Sequence, residues 1–178
     1  MSDATGKTQL IQTQAEAREL LERLEESAGR ARANLRKVLA QVEPALSALS
    51  RLKFTPVGCD PLDPERALNL VEQLNQTFTY RAAFEAAAWL LDKHPDHAPF
   101  ELSLGAAAGI DIMSHDKSVL AEVFAAVDPR NNKKLKHDID RLAGQEASFR
   151  YVFYLSPTTG GNPEEFESSG VHVVRLHV

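Results

Sequence analysis

The chain has 178 residues, enough to bury a self-sufficient hydrophobic core. A formal net charge of −5 excludes a protein that is basic overall, so any contact with nucleic acid must come from a local patch. The single cysteine, Cys59, excludes an intrachain disulfide, and no apolar run approaches the roughly 18 residues of a membrane span.

The opening residues are polar and carry no signal-peptide hydrophobic stretch, so the expectation is a soluble, cytoplasmic protein with no membrane partner. Gly6-Lys7-Thr8 lacks the upstream glycine and preceding strand of a phosphate-binding loop. From residue 9 to 52 the chain is rich in Ala, Leu, Glu and Arg. Leu21, Ala28, Leu35, Val42 and Leu49 recur every seven residues, and Leu24, Ala31, Val38, Ala45 and Leu52 repeat the spacing three positions later. That is an a/d seam, expected as a long helix or helical hairpin, with a break at Pro44. It packs either on its own domain or against a second copy, as a homodimer through the N-terminal helices.

Residues 53–63 are punctuated by Pro and Gly and read as a linker between an N-terminal element, 1–52, and a domain over 64–178. Asp63-Pro64 predicts a helix start, with helical pattern to about His94 and a possible interruption at Asn75-Gln76-Thr77. Three strands follow, over 99–104, 109–114 and 118–127. A helix is expected within 129–144, with Leu135, Ile139 and Leu142 on one side, then a strand over 149–156. Residues 157–170 read as a loop, mobile at Gly160-Gly161, before a last strand over 171–178. The fold class is α/β: a small mixed sheet of about five strands flanked by helices, preceded by the long N-terminal helix or hairpin.

Asp111 and Glu122 lie eleven positions apart in segments that otherwise read as core. Buried, unpaired carboxylates cost several kcal/mol each. A hard divalent cation relieves both the burial and the repulsion, which makes Mg²⁺ (or Mn²⁺) the expected cofactor. The bland alternative is two acidic residues at strand ends facing water.

The order helix, strand with Asp, strand with Glu-x-x, helix, two strands resembles the PD-(D/E)XK nucleases, the restriction-endonuclease-like superfamily, over about 64–178. The resemblance implies metal-dependent phosphodiester hydrolysis of nucleic acid, DNA being expected, with Asp111 and Glu122 as metal ligands. Glu85, on the preceding helix, matches an acid that some members add. Phe124 stands where the family has its catalytic lysine, so the resemblance implies either a substitute from the next helix, Lys133 or Lys134, or a protein that has lost catalysis and acts as a nucleic-acid-binding or protein-interaction module. Arg130, Lys134, His137 and Arg141 fall on one helix face and make a candidate phosphate-binding surface. Asp138 and Asp140 dilute it. Asp116 is a substitute candidate for Asp111. His94 and His97 have no ligand partner at metal-binding spacing.

Overall fold

The computed structural model describes residues 7–105, 109–129, 133–157 and 165–178. Two compact units emerge, one from residues 1–18 and 82–178, the other from 19–81. The larger unit holds a seven-stranded sheet and the smaller a two-stranded one.

The larger unit starts with strand β1 (Thr8–Ile11), which pairs antiparallel with β4 (Phe100–Ser103). The expected helical block therefore begins later, at α1 (Gln14–Leu39). Its start is fixed by Thr13 and Glu16. The Glu16 amide donates to Thr13 Oγ1 at 3.2 Å, and the Thr13 amide donates back to Glu16 Oε2 at 3.2 Å. This reciprocal box satisfies amides that a helix N-terminus otherwise leaves open.

In the smaller unit, the helix breaks where Pro44 predicts, and α2 spans Ala45–Phe54. Arg51 of α2 reaches back to Gln41, Glu43 and the Val38 carbonyl, tying the two helices together. The seam is buried only near the start: Leu24 is buried, while Val42 and Leu49 are exposed.

The helix predicted from Asp63-Pro64 is a turn instead. Asp60 is fully buried, and its carboxylate accepts the Leu62 and Asp63 amides at 2.8 and 3.2 Å, curling the chain. Strands β2 (Gly58–Cys59) and β3 (Ala67–Leu68) flank that turn and pair antiparallel. Local side-chain acceptors outcompete the helix start here. The helix, α3 (Leu70–Lys93), begins one strand later, where Asn69 and Glu72 form a second reciprocal cap. It runs unbroken through Asn75-Gln76-Thr77 and crosses into the larger unit.

From α3 the chain makes one 3-10 turn (Pro95–His97) and enters β4, β5 (Ile112–Ser114) and β6 (Val119–Ala125), all paired antiparallel. Helix α4 (Lys134–Ala143) then crosses over to β7 (Phe149–Leu155), parallel to β6. The chain finishes with β8 (Glu165–Ser168) and β9 (Val171–Leu176), giving the order β1-β4-β5-β6-β7-β9-β8. The sequence predicts about five strands in this sheet, and seven form among the described residues. The additions are β1, and β8 inside the predicted loop; Gly160-Gly161 lie outside the described residues. Ser169 and Gly170 both have positive φ, 55° and 72°, which is the two-residue turn that matches the twist of a β-hairpin.

The strand β6 is buried on both faces, as a central strand bordered by a parallel neighbour should be. Its Leu120 and Phe124 pack with Ile139 and Leu142 of α4, Val152 and Tyr154 of β7, and Val171 and Val173 of β9. On the other face, Trp89 of α3 meets Tyr151 and Phe153 edge-on, at 5.2 and 5.4 Å. Among the described residues, no helix is long and apolar enough to cross a membrane.

Candidate functional site

Alternation along β6 places Glu122 with Leu120 and Phe124, on the face that α4 covers. The register of β5 with β6 pairs Ile112 with Ala121, so one position further along Asp111 stands opposite Glu122. Strand pairing thus brings the two carboxyls together. Asp111 Oδ2 also accepts the Val123 amide at 2.8 Å, which fixes it against β6.

Glu122 is 1% exposed. Arg141, two turns along α4, brings Nη1 to 3.0 Å from Glu122 Oε1 and also donates to the Gly109 carbonyl. The ion pair is not aligned as a hydrogen bond. As an anion, Glu122 has no hydrogen-bond partner for either oxygen. With one proton between them, Glu122 and Asp111 hydrogen-bond to each other. Burial is the main reason the Glu122 pKa is pushed up to about 8; the hydrogen bond and charge of Asp111 add to it, Arg141 opposes it, and Asp138 reinforces it.

Asp138 does not dilute a basic face as the sequence suggests. It is in fact fully buried beneath that face, with Lys134 Nζ at 2.6 Å and His137 Nδ1 at 3.4 Å from Oδ1. Its Oδ2 has no hydrogen-bond partner. The signal was available: Asp138 lies three residues after Leu135 and four before Leu142, on the apolar stripe of α4.

Two of the four proposed phosphate contacts, Lys134 and Arg141, turn onto carboxylates. His137 remains exposed, and Arg130 lies outside the described residues. Lys134 also sits over the Phe124 ring, 5.9 Å from its centroid. Lys133 is exposed, in a left-handed conformation at the start of α4. Glu85 is half-buried on α3, the helix whose Trp89 packs on the opposite face of the sheet. Asp116 serves a different cluster: it accepts from Ser114 at 2.6 Å and from the Ser118 amide at 3.0 Å, and pairs with His97 at 2.7 Å. Those hydrogen bonds hold its carboxyl far below the usual range.

Oxygen donors are the right kind for Mg²⁺ or Mn²⁺, and the orphaned oxygens of Glu122 and Asp138 are what a cation relieves. Against that, Arg141 already supplies Glu122 with a positive charge. Among the described residues, no group of three or more His, Cys, Asp or Glu side chains is gathered to hold a metal. Asp111 and Glu122 are a pair of oxygen donors and no more than a pair, with Arg141 already against one of them. No protein-family model matches this chain, and no curated protein or solved structure does either.

Proposed function

We propose that the chain hydrolyses phosphodiester bonds in nucleic acid, DNA in the first instance, as a PD-(D/E)XK-like nuclease with a displaced lysine. The observation that carries this reading is the opposition of Asp111 and Glu122 across β5 and β6, with Glu122 buried and, as an anion, without a hydrogen-bond partner for either oxygen. The order of α3, three antiparallel strands, α4 and a parallel β7 supports it.

Asp111 and Glu122 would hold Mg²⁺ or Mn²⁺, which when bound polarises a phosphoryl oxygen and acidifies water. Lys134 brings an ammonium over Phe124, next to the strand position where the family has its lysine. Asp138 orients that ammonium through its 2.6 Å contact. Lys134 then neutralises charge that develops on the phosphate. Arg141 balances Glu122 at 3.0 Å and would be available to a phosphate if a cation took over that charge.

The test is calorimetric titration of Mn²⁺ into the wild-type protein and into Asp111→Ala, followed by a cleavage assay. Saturable binding is expected in the first and not in the second. Glu122→Ala is expected to lose cleavage while its circular dichroism stays native. Absence of Mn²⁺ binding in the wild-type protein would sink the reading.

A second reading is favoured by a specific contact. The Arg141–Glu122 pair and the buried Phe124, stacked 6.1 Å from Tyr154, describe a site closed by protein groups alone. On that reading the protein is a non-catalytic module of the same fold, and it binds nucleic acid or a protein partner with or without Mn²⁺. In both readings the N-terminal helices pair two copies, supported by the exposure of Val42, Leu46, Leu49 and Phe54. Leu49→Asp is then expected to convert a dimer to a monomer in sedimentation.

A further inference from the structure

The face of the sheet opposite Glu122 carries a separate constellation. Tyr151 pairs in register with Ala121 and with His172, and Glu167 of β8 stands opposite His172, so these three side chains share that face. A cleft of about 380 Å³ opens there, with walls that include Trp89, Lys93, Tyr151, Glu167, His172 and Val174. Small-molecule sites typically occupy a few hundred Å³ and combine apolar rings with a few placed polar groups.

The rings are fixed by one another. Trp89 meets Tyr151 edge-on at 5.2 Å, and the Tyr151 and His172 rings lie 5.4 Å apart. The Tyr151 hydroxyl is bonded to His94 Nε2 at 2.7 Å. Burial, then the neighbouring His97, His172 and Lys93, lower the His94 pKa, so that ring is a neutral partner at pH 7. The Lys93 ammonium lies over the Trp89 ring, 5.5 Å from its centroid. Lys93 and Glu167 are both exposed, one a cation and the other a carboxylate.

A ligand matched to these walls needs three things. It needs a flat ring for the aromatic surfaces, an anionic group for Lys93, and an N–H edge for Glu167. An aromatic acid supplies the first two. A nucleoside supplies the first and third. A nucleoside monophosphate whose base carries an amine supplies all three.

We propose that this cleft binds a nucleoside monophosphate bearing an exocyclic amine, its base against Trp89 and the exposed His172 ring that Tyr151 supports from beneath, its amine on Glu167 and its phosphate on Lys93. The site stands independently of the carboxylate pair on the other face. Base stacking on aromatic side chains supplies affinity without demanding a single base, so Glu167 is the selective contact.

Trp89 is the chain's one tryptophan, so its fluorescence reports this cleft directly. Titrating AMP into the full chain is expected to give a saturable change. Adenosine, or AMP with Lys93→Ala, should bind about tenfold more weakly, as loss of one charged contact predicts. Purine riboside monophosphate, whose base has neither the amine nor a ring N–H, should bind several-fold more weakly than AMP, and Glu167→Gln should narrow that gap. No saturable change with millimolar AMP would overturn the proposal. So would equal binding of AMP and adenosine that Lys93→Ala leaves unaltered.

Discussion

At Glu122, burial, the Asp111 carboxyl and Asp138 all favour a proton, and only Arg141 opposes them. The folded-state pKa of about 8 lies above the ordinary value of 4.5, so folding takes up a proton in between. The stabilisation is therefore complete below pH 4.5 and is lost as pH rises through about 8. In metal-free buffer the wild-type protein is expected to lose on the order of 2 to 4 kcal/mol between about pH 5 and pH 9 from this group alone. Glu122→Gln, which stays neutral and still donates to Asp111, should remove that part of the slope. Urea midpoints across the pH range measure it, and parallel curves for the two proteins would dispose of the shared proton. Asp60 makes the opposite case, a buried carboxylate fully used: beyond the two amides, Arg66 Nη1 lies 3.2 Å and the Tyr80 hydroxyl 3.4 Å from Oδ2. Burial, with Asp60 close behind, pushes the Tyr80 pKa up to about 12. Asp60→Ala strands several polar groups at once and should cost roughly 3 kcal/mol, read from the denaturation midpoint.

Helices in this chain start where side chains cap them. Thr13 with Glu16 and Asn69 with Glu72 are both four-residue reciprocal boxes, and each sits immediately before a helix. Asn69→Ala is expected to cost about 1 kcal/mol and to fray the first turn of α3, visible as a lower melting temperature. The residues of both boxes stand in the sequence, yet the start expected for α3 was Asp63-Pro64, where the chain turns instead. What distinguished them was the buried Asp60 acting on amides that follow it. Similarly, the predicted break forms, α1 ending at Leu39 and Pro44 standing just before α2, whereas β8 was hidden because its pairing with β9 depends on a partner that the local pattern does not contain. The strands β4, β5, β6, β7 and β9 were legible, β4 from its alternation and β6 and β7 from apolar runs that the core buries on both faces. In α4, the positions of Leu135, Ile139 and Leu142 were legible too, but charge on its remaining faces pointed to solvent when Lys134 and Arg141 actually turn inward.

For the molecule as a whole, a net charge of −5 opposes attachment to DNA, and two cations of α4 are already committed to carboxylates. Lys133 at the N-cap, and Lys136 and His137 on that helix, remain exposed. If DNA is bound there, about three phosphates are neutralised, and log K against log salt should fall with a slope near −3 or shallower. Changing Lys133 and Lys136 together to alanine should reduce that slope by about two. A steeper slope, or one that ignores those lysines, would place the nucleic-acid contact elsewhere. Composition and apolar periodicity by themselves determined an α/β chain with a long N-terminal helix, because burial needs are written in the spacing of Leu, Val, Ile and Phe. They also marked Asp111 and Glu122 as out of place. Only the tertiary structure decided that these two oppose each other, that Arg141 and Asp138 join them, and that Trp89, Lys93, Tyr151 and His172 meet on the other face. Such encounters are set by strand register and by a parallel crossover, which link residues far apart in the chain and leave no local trace in either partner.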